Sequence, residues 1–154
     1  MASRTIVLGI GNVERGDDGA GRAVARLLRH MLGDRVEIVE QDGEATALLA
    51  QLDGAASAYL IDACMSNAPA GTVHRIDANL GPLPQASSDL STHGCGLAAA
   101  IELGRALGQL PPHTIVYAIE AESFAAGAPL SQPVATATVI VADRIRFEIE
   151  ETAS

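Results

Sequence analysis

The sequence predicts an α/β protein with three layers, in which helices cover both faces of a mostly parallel twisted sheet of about five strands. Short apolar runs rich in β-branched residues alternate along the chain with longer segments of helical periodicity. Such alternation is typical of parallel strands joined by crossover helices. No repeat or linker interrupts it, and 154 residues with 48% hydrophobic content suffice for one compact core. We therefore expect a single domain over residues 1–154.

The first half of the chain contains two predicted strands and two predicted helices. Residues 5–9 (TIVLG) form a short apolar run that suits a strand buried on both faces. Residues 17–31 carry apolar side chains at helical spacing, and Asp17 or Asp18 is placed to cap the first turn. The next strand and helix are predicted at residues 36–39 and 45–52.

The second half continues the alternation. Residues 58–61 (AYLI) predict a buried strand with Asp62 at its end, whereas residues 72–76 alternate like a more exposed strand at an edge. Small residues and leucines over 94–107 favour a helix. A buried strand and a last helix are predicted at residues 114–119 and 134–147.

The charge pattern excludes several classes of partner. The net charge is −9, and the ten basic residues are all arginines scattered along the chain, which argues against binding to nucleic acid or to an anionic membrane. No apolar run reaches the roughly 20 residues that cross a bilayer, and MASRTIVLG is unlike a signal peptide, so we expect a cytoplasmic protein. Cys64 and Cys95 are then expected to be reduced thiols.

The loop GIGNVERGDDGAG, residues 9–21, begins like a nucleotide-binding turn but is acidic. It has neither the dinucleotide-binding glycine spacing nor the P-loop lysine. Glu14, Asp17 and Asp18 would repel a phosphate, since two like charges about 4 Å apart cost about 4 kcal/mol at an effective dielectric constant of 20. The loop therefore suits a cation better than an anion.

Three residues are predicted to share the edge of the sheet where ligands bind in such folds: Asp18, Asp62 and His93. Two carboxylates and an imidazole suit a divalent transition metal and leave room for water or a substrate group. Structural roles are the alternative: a helix cap for Asp17 or Asp18, backbone hydrogen bonds for Asp62 and a helix N-terminal position for His93. The pattern alone leaves both interpretations open.

Four segments together resemble the hydrogenase maturation proteases, which trim the C-terminal extension from the large subunit of nickel-iron hydrogenases. The resemblance runs over essentially the whole chain in the same order. The segments are GIGNVERGDDGAG, LIDAC, STHGCGL, and AIEAESF with PLSQPV. It implies that Asp18, Asp62 and His93 are the metal-contacting and catalytic residues.

The resemblance also implies that the metal is nickel carried by the substrate, with no organic cofactor. The partner would be the nickel-loaded hydrogenase large-subunit precursor, and the protease would act as a monomer or weak homodimer. A metal-polarised water or carbonyl would be the reacting centre, with Asp62 or Asp18 as a general base.

Two other functional classes stay open. A cysteine or serine hydrolase would use Cys64 or Ser91 with His93 and Asp62, although the G-x-S-x-G motif is absent. A non-catalytic module that binds a metal or a nucleotide is the second.

Residues outside the predicted site receive other expectations. Cys64 and Cys95 each lie two residues after a proposed ligand and are interpreted mainly as small buried hydrophobic residues. The alternative is that a thiolate near the site binds nickel or zinc. The three remaining histidines have no acidic or cysteine partner in a recognisable motif, so surface or structural roles are predicted for His30, His74 and His113. Glu14 and Arg15 are expected to be exposed and to contact the precursor, Asn12 to stabilise the glycine turn, and Glu122 and Ser123 to have either a turn or a catalytic role.

Overall fold

The computed structural model describes residues 4–81 and 95–153. Within these ranges the strands are β1 (Thr5–Ile10), β2 (Glu37–Gln41), β3 (Ser57–Cys64), β4 (Val73–Asp77) and β5 (His113–Glu120). The α-helices are α1 (Ala20–Leu32), α2 (Ala45–Leu52), α3 (Cys95–Leu107) and α4 (Gln132–Ala153). Short 3-10 turns cover Gly16–Gly19 and Gly33–Arg35.

The five strands form one sheet in the order β2-β1-β3-β5-β4. The pairs from β2 to β5 are parallel, and β4 runs antiparallel to β5 at the edge. The predicted fold class is confirmed, and so is the edge position of the strand near residues 72–76. β4 pairs with β5 on one side, and each of its residues is partly or fully exposed.

Helices cover both faces of the sheet and bury two apolar clusters. On one face, α1 and α4 pack on alternate residues of the strands, including Val7, Tyr59, Ile61, Tyr117 and Ile119. On the other face, α2 and α3 pack on the intervening residues, including Ile6, Leu8, Leu60, Cys64 and Val116. Because side chains alternate along a strand, Asp62 and Glu120 share the second face with Leu60 and Cys64.

Three predicted boundaries differ from the structure by three residues or more. α1 begins only at Ala20, since Asp17 and Asp18 lie in the preceding 3-10 turn, and the predicted capping role is wrong because neither caps this helix. β3 extends to Cys64, so Asp62 lies inside the strand rather than after it. α4 is longer than predicted, because the helix begins at Gln132 and continues through the glutamate-rich segment after Phe147 to Ala153.

The start of α1 lies directly on the ends of β1 and β3. A Cβ added to Gly21 would lie 2.4 Å from the Ile10 carbonyl oxygen and 2.3 Å from that of Ile61, so only glycine permits this approach. In the sheet, β2 lies on one side of β1, whereas β3, β5 and β4 lie on its other side, so the order of the strands reverses between β1 and β3. Such a reversal opens the crevice in which α/β proteins bind ligands. In the described ranges, every helix is too short or too polar to cross a membrane.

Candidate active site

Asp18 and Asp62 are both buried at the crevice between β1 and β3, with 2% and 1% exposure. Burial raises the pKa of Asp62 well above its usual value, and the negative charge of Asp18 raises it further. A hydrogen bond of 2.8 Å from the Ala63 amide to Asp62 Oδ1 acts in the opposite direction but does not offset burial. The fold thus brings two carboxyl groups from separate segments into electrostatic contact.

The glycine loop fixes the position of Asp18. Gly11 has φ of +140°, and a Cβ there would lie 1.8 Å from the Asp18 carbonyl oxygen, so the loop closes tightly on itself. The Asn12 amide nitrogen donates to Asp18 Oδ2 at 3.1 Å. The Asn12 side chain accepts from the Glu14 amide at 2.9 Å, which confirms its predicted role in the turn.

Asp17 has a different structural role from the adjacent Asp18. Its carboxylate accepts hydrogen bonds from the backbone amides of Glu122, Ser123 and Ser131 at 2.8, 3.3 and 2.7 Å. It also accepts from the Ser131 hydroxyl at 2.8 Å. Asp17 therefore connects the first loop to the segment between β5 and α4. Glu122 and Ser123 in this segment are exposed, and they contact Asp17 through their backbone amides, as a structural role in the turn requires.

His93 and Ser91 lie outside the described residues, so the structure gives no position for either side chain. The helix that follows them, α3, begins at Cys95, and its Leu97 packs in the apolar cluster with Leu60 and Cys64. This cluster lies on the face of the sheet that also bears Asp62. The role of His93 at the site stays a prediction.

A second polar cluster lies next to Asp62 on the same face. His74 Nε2 donates to Glu120 Oε1 at 2.9 Å, and Cys64 lies opposite Glu120 in the parallel pairing of β3 and β5. His74 therefore has an acidic partner in the fold that no sequence motif indicated. Sequence reasoning also missed Glu120, because its pairing with Cys64 depends on the order of the strands rather than on a local motif.

The Glu120 carboxyl group in this cluster is buried, with 1% exposure. Burial alone would raise its pKa, but hydrogen bonds from Ser66, His74 and Cys64 together lower it below the usual value. The Ser66 amide donates to Oε2 at 3.1 Å and the Ser66 hydroxyl donates to Oε1. The pKa values of the two buried carboxyl groups therefore shift in opposite directions. Glu120 accepts hydrogen bonds from several donors, whereas Asp62 is buried near the like charge of Asp18.

The other singled-out residues lie away from this edge or at its surface. His30 is exposed on α1, and His113 contacts the Tyr59 hydroxyl at 3.3 Å at the opposite end of β5, in agreement with surface and structural roles. Glu14 is exposed as predicted, whereas Arg15 is only partly exposed. Cys64 is a buried thiol with 3% exposure, and the side chain of Cys95 lies outside the described residues.

The arrangement of Asp18 and Asp62 favours a cation over an anion. Two ionised carboxylates in a buried site repel each other, which disfavours a second negative charge there. A divalent cation between them would remove that repulsion, and each carboxylate would supply an oxygen ligand.

Comparison with known proteins agrees with this fold. The family model described as HycI, hydrogenase maturation protease, matches residues 22–147. This range includes Asp62 and the position of His93 but begins after the loop that carries Asp18. The hydrogenase expression/formation protein HupD of Thiocapsa roseopersicina is 28% identical over 117 residues, which are 75% of this chain and 53% of HupD. The chain thus spans about half the length of this curated relative.

Solved structures show the same fold. The hydrogenase maturating endopeptidase HybD of E. coli superposes with a TM-score of 0.84 at 23% identity, covering 97% of this chain and 93% of its own. The [NiFe] hydrogenase maturation protease HybD of Thermococcus kodakarensis has a TM-score of 0.73 at 24% identity, covering 95% and 98%. Because the family model matches most of the chain, this protein belongs to the hydrogenase maturation protease family.

Proposed function

We propose that this chain is an endopeptidase that removes the C-terminal extension of a nickel-loaded nickel-iron hydrogenase large-subunit precursor. It would recognise the bound nickel through Asp18, Asp62 and His93. The observation that carries the proposal is the electrostatic contact between the buried carboxyl groups of Asp18 and Asp62 at the crevice between β1 and β3. Membership of the family supports the class of reaction.

Nickel is part of the substrate in this proposal. The raised pKa of Asp62 means that, before the precursor binds, the site holds a proton rather than a second negative charge. A nickel ion that arrives in the precursor would favour the ionised pair, and His93 would supply a nitrogen ligand. A precursor without nickel would not be attracted to the two carboxylates, so only the nickel-loaded precursor would be cleaved.

The reaction itself is hydrolysis of one peptide bond. Water supplies the hydroxyl group of the new carboxyl terminus while the C–N bond breaks, and a proton passes to the leaving amine. Asp18 or Asp62, once ionised, is suited to accept the proton from water and then deliver it to that amine. Burial of both groups keeps bulk water from competing for the proton.

The precursor would contact the rim formed by the segments that follow β1 and β3. Val13 and Met65 are large apolar side chains with 41% and 40% exposure, one in each of these segments. Glu14 is exposed beside Val13. These residues would bind the precursor around its C-terminal segment in the cytoplasm, where we place the reaction.

The deciding experiment is incubation of the purified chain with nickel-loaded precursor and, separately, with nickel-free precursor, with mass spectrometry of the released peptide. Only the loaded precursor should be cut. Asp18→Asn, Asp62→Asn and His93→Gln should each abolish the cut while circular dichroism stays native. Asp34→Asn replaces an exposed acid before β2 and serves as the matched control. Equal cleavage of both precursors would exclude nickel recognition.

The thiol-based alternative makes a different prediction. Cys64 lies on the same face as Asp62, two residues further along β3. If a cysteine were the nucleophile, Cys64→Ser or Cys95→Ser would abolish cleavage. The metal-recognition proposal expects both variants to cleave the loaded precursor.

A further inference from the structure

Cys64, His74 and Glu120 come from three neighbouring strands and meet at one point. One ligand atom from each, the thiol sulfur, an imidazole nitrogen and a carboxylate oxygen, lies within 4.8 Å of the other two. Cys64 and Glu120 are the last residues of β3 and β5 and pair directly, while His74 lies on β4, which pairs with β5. Cys64 and Glu120 are buried, and the His74 side chain is 38% exposed.

We propose that Cys64, His74 and Glu120 form a binding site for a divalent transition metal of the zinc class, separate from the site at Asp18 and Asp62. The proposal does not depend on the peptidase activity. It concerns an ion held by this chain itself, whereas the proposed nickel arrives with a substrate.

The ligand chemistry selects the class of metal. A thiolate and an imidazole favour Zn²⁺, Co²⁺ or Ni²⁺ over Mg²⁺ and Ca²⁺, which prefer sites made only of oxygen ligands. A thiolate and a carboxylate together carry two negative charges, which balance those of the ion. A buried site with matched charges avoids the cost of an uncompensated charge in the protein interior.

The spacing of the three groups is close to that of a tetrahedral site. Zinc–nitrogen and zinc–oxygen distances of about 2.0–2.2 Å and a zinc–sulfur distance of about 2.3 Å place ligand atoms roughly 3.3–3.8 Å apart. His74 Nε2 and Glu120 Oε1 lie 2.9 Å apart, and the other separations do not exceed 4.8 Å. Small side-chain rotations therefore suffice, and the partly exposed His74 gives the ion an entry route and leaves a position for water.

The surrounding residues hold the carboxylate and the strand ends in place. Ser66 donates to Glu120 from both its amide and its hydroxyl, as hydrogen-bond partners beyond the ligands commonly do at metal sites. The Gly71 amide donates to the Glu120 carbonyl oxygen at 2.8 Å, and the Ala121 amide donates to that of Cys64 at 2.9 Å. The backbone at two of the three ligands is thus fixed before any metal binds.

The test is a titration of the purified, reduced chain with Co²⁺, which replaces Zn²⁺ and absorbs light. We expect one ion per chain with a thiolate-to-cobalt charge-transfer band and the ligand-field bands of tetrahedral cobalt, both reversed by Zn²⁺. Cys64→Ser should abolish the charge-transfer band. His74→Gln and Glu120→Gln should each weaken binding at least tenfold, and the partly exposed position of His74 makes its variant the safer one for folding.

Matched controls assign the band to these residues. Cys95→Ser removes the other cysteine, and His113→Gln removes a histidine at the opposite end of β5, so both should keep the band. Asp62→Asn disables the proposed nickel-recognition site and should keep it as well. A wild-type chain without a thiolate band, a band that survives Cys64→Ser, or a band lost in Cys95→Ser would overturn the proposal and leave the three residues as a hydrogen-bond network.

Discussion

The negative charge of Asp18 raises the pKa of Asp62, although the two residues lie on separate segments of the chain. The first loop and β3 bring them together because β1 and β3 are neighbours in the sheet and α1 packs on the ends of both. Placing both carboxyl groups in the interior costs stability. A group that destabilises the fold in this way is a candidate for function.

Asp62→Asn should stabilise the protein at neutral pH. The folded pKa of Asp62 is raised above its unfolded value by burial and by Asp18, so the wild type loses stability as pH rises between the two pKa values. Asparagine does not titrate and can still accept from the Ala63 amide. Chemical unfolding should show no advantage below about pH 3, where the carboxyl group is protonated in both states, and a gain of about 1.4 kcal/mol per pH unit between the unfolded pKa and the folded pKa of Asp62.

The control for this pH dependence is Asp18→Asn. This variant removes the negative charge that raises the pKa of Asp62 but leaves Asp62 buried. Burial is the larger cause, so the pH dependence from Asp62 should shrink in this variant but persist. An Asp62→Asn protein that is less stable than the wild type at neutral pH would contradict the raised pKa.

Asp17→Ala should destabilise the protein by about 3 kcal/mol. The buried carboxylate accepts four hydrogen bonds from the segment between β5 and α4, and its loss leaves several backbone donors without an acceptor. Urea unfolding would measure the change. Ser131→Ala removes only one of the four bonds and should cost about 1 kcal/mol. Equal effects of the two substitutions would argue against a central role for Asp17.

Tyr117 should titrate far above an ordinary tyrosine. Burial and its hydrogen bond to Glu148 raise its pKa to about 12, despite the opposing effect of Arg75. A phenol whose folded pKa lies above its unfolded value of 10.0 makes the protein less stable as pH rises from 10.0 to about 12. Phenolate absorbance in the native protein should show this late transition.

Tyr117→Phe should abolish the late phenolate transition and leave that of Tyr59, the second of the two tyrosines. The pKa of Tyr59 is also raised, mainly by burial. In urea both tyrosines should titrate near 10, since neither is buried there. A native Tyr117 that titrates near 10 would contradict the buried hydrogen bond to Glu148.

Gly21→Ala should destabilise the fold severely, whereas Gly104→Ala should not. A methyl group at Gly21 would overlap the carbonyl oxygens of Ile10 and Ile61, and these backbone atoms cannot move aside without displacing β1 and β3. We expect a loss of about 3 kcal/mol or more in thermal or urea unfolding. At Gly104 in α3 the nearest atom is a flexible Leu49 methyl group at 3.2 Å. The gain in helix propensity, up to about 1 kcal/mol, should then offset the contact.

The fold class could be predicted from the sequence, because the alternation of apolar strands and helices is a local pattern that requires two covered faces. The sequence placed β4 at an edge because its residues alternate, and it placed α2 at residues 45–52. The sequence also indicated Asp18 and Asp62 as candidate site residues, since acidic residues that follow or end strands of a parallel sheet meet at one edge.

The different roles of the adjacent residues Asp17 and Asp18 could not be predicted from the sequence, because they depend on the folded arrangement of distant segments. Asp17 and Asp18 have the same side chain, but consecutive residues project in different directions, so one binds the segment before α4 and the other approaches Asp62. Likewise Cys64, His74 and Glu120 are unremarkable in sequence. They meet because crossover connections place β5 between β3 and β4, and this strand order follows from packing of the whole chain rather than from any local pattern.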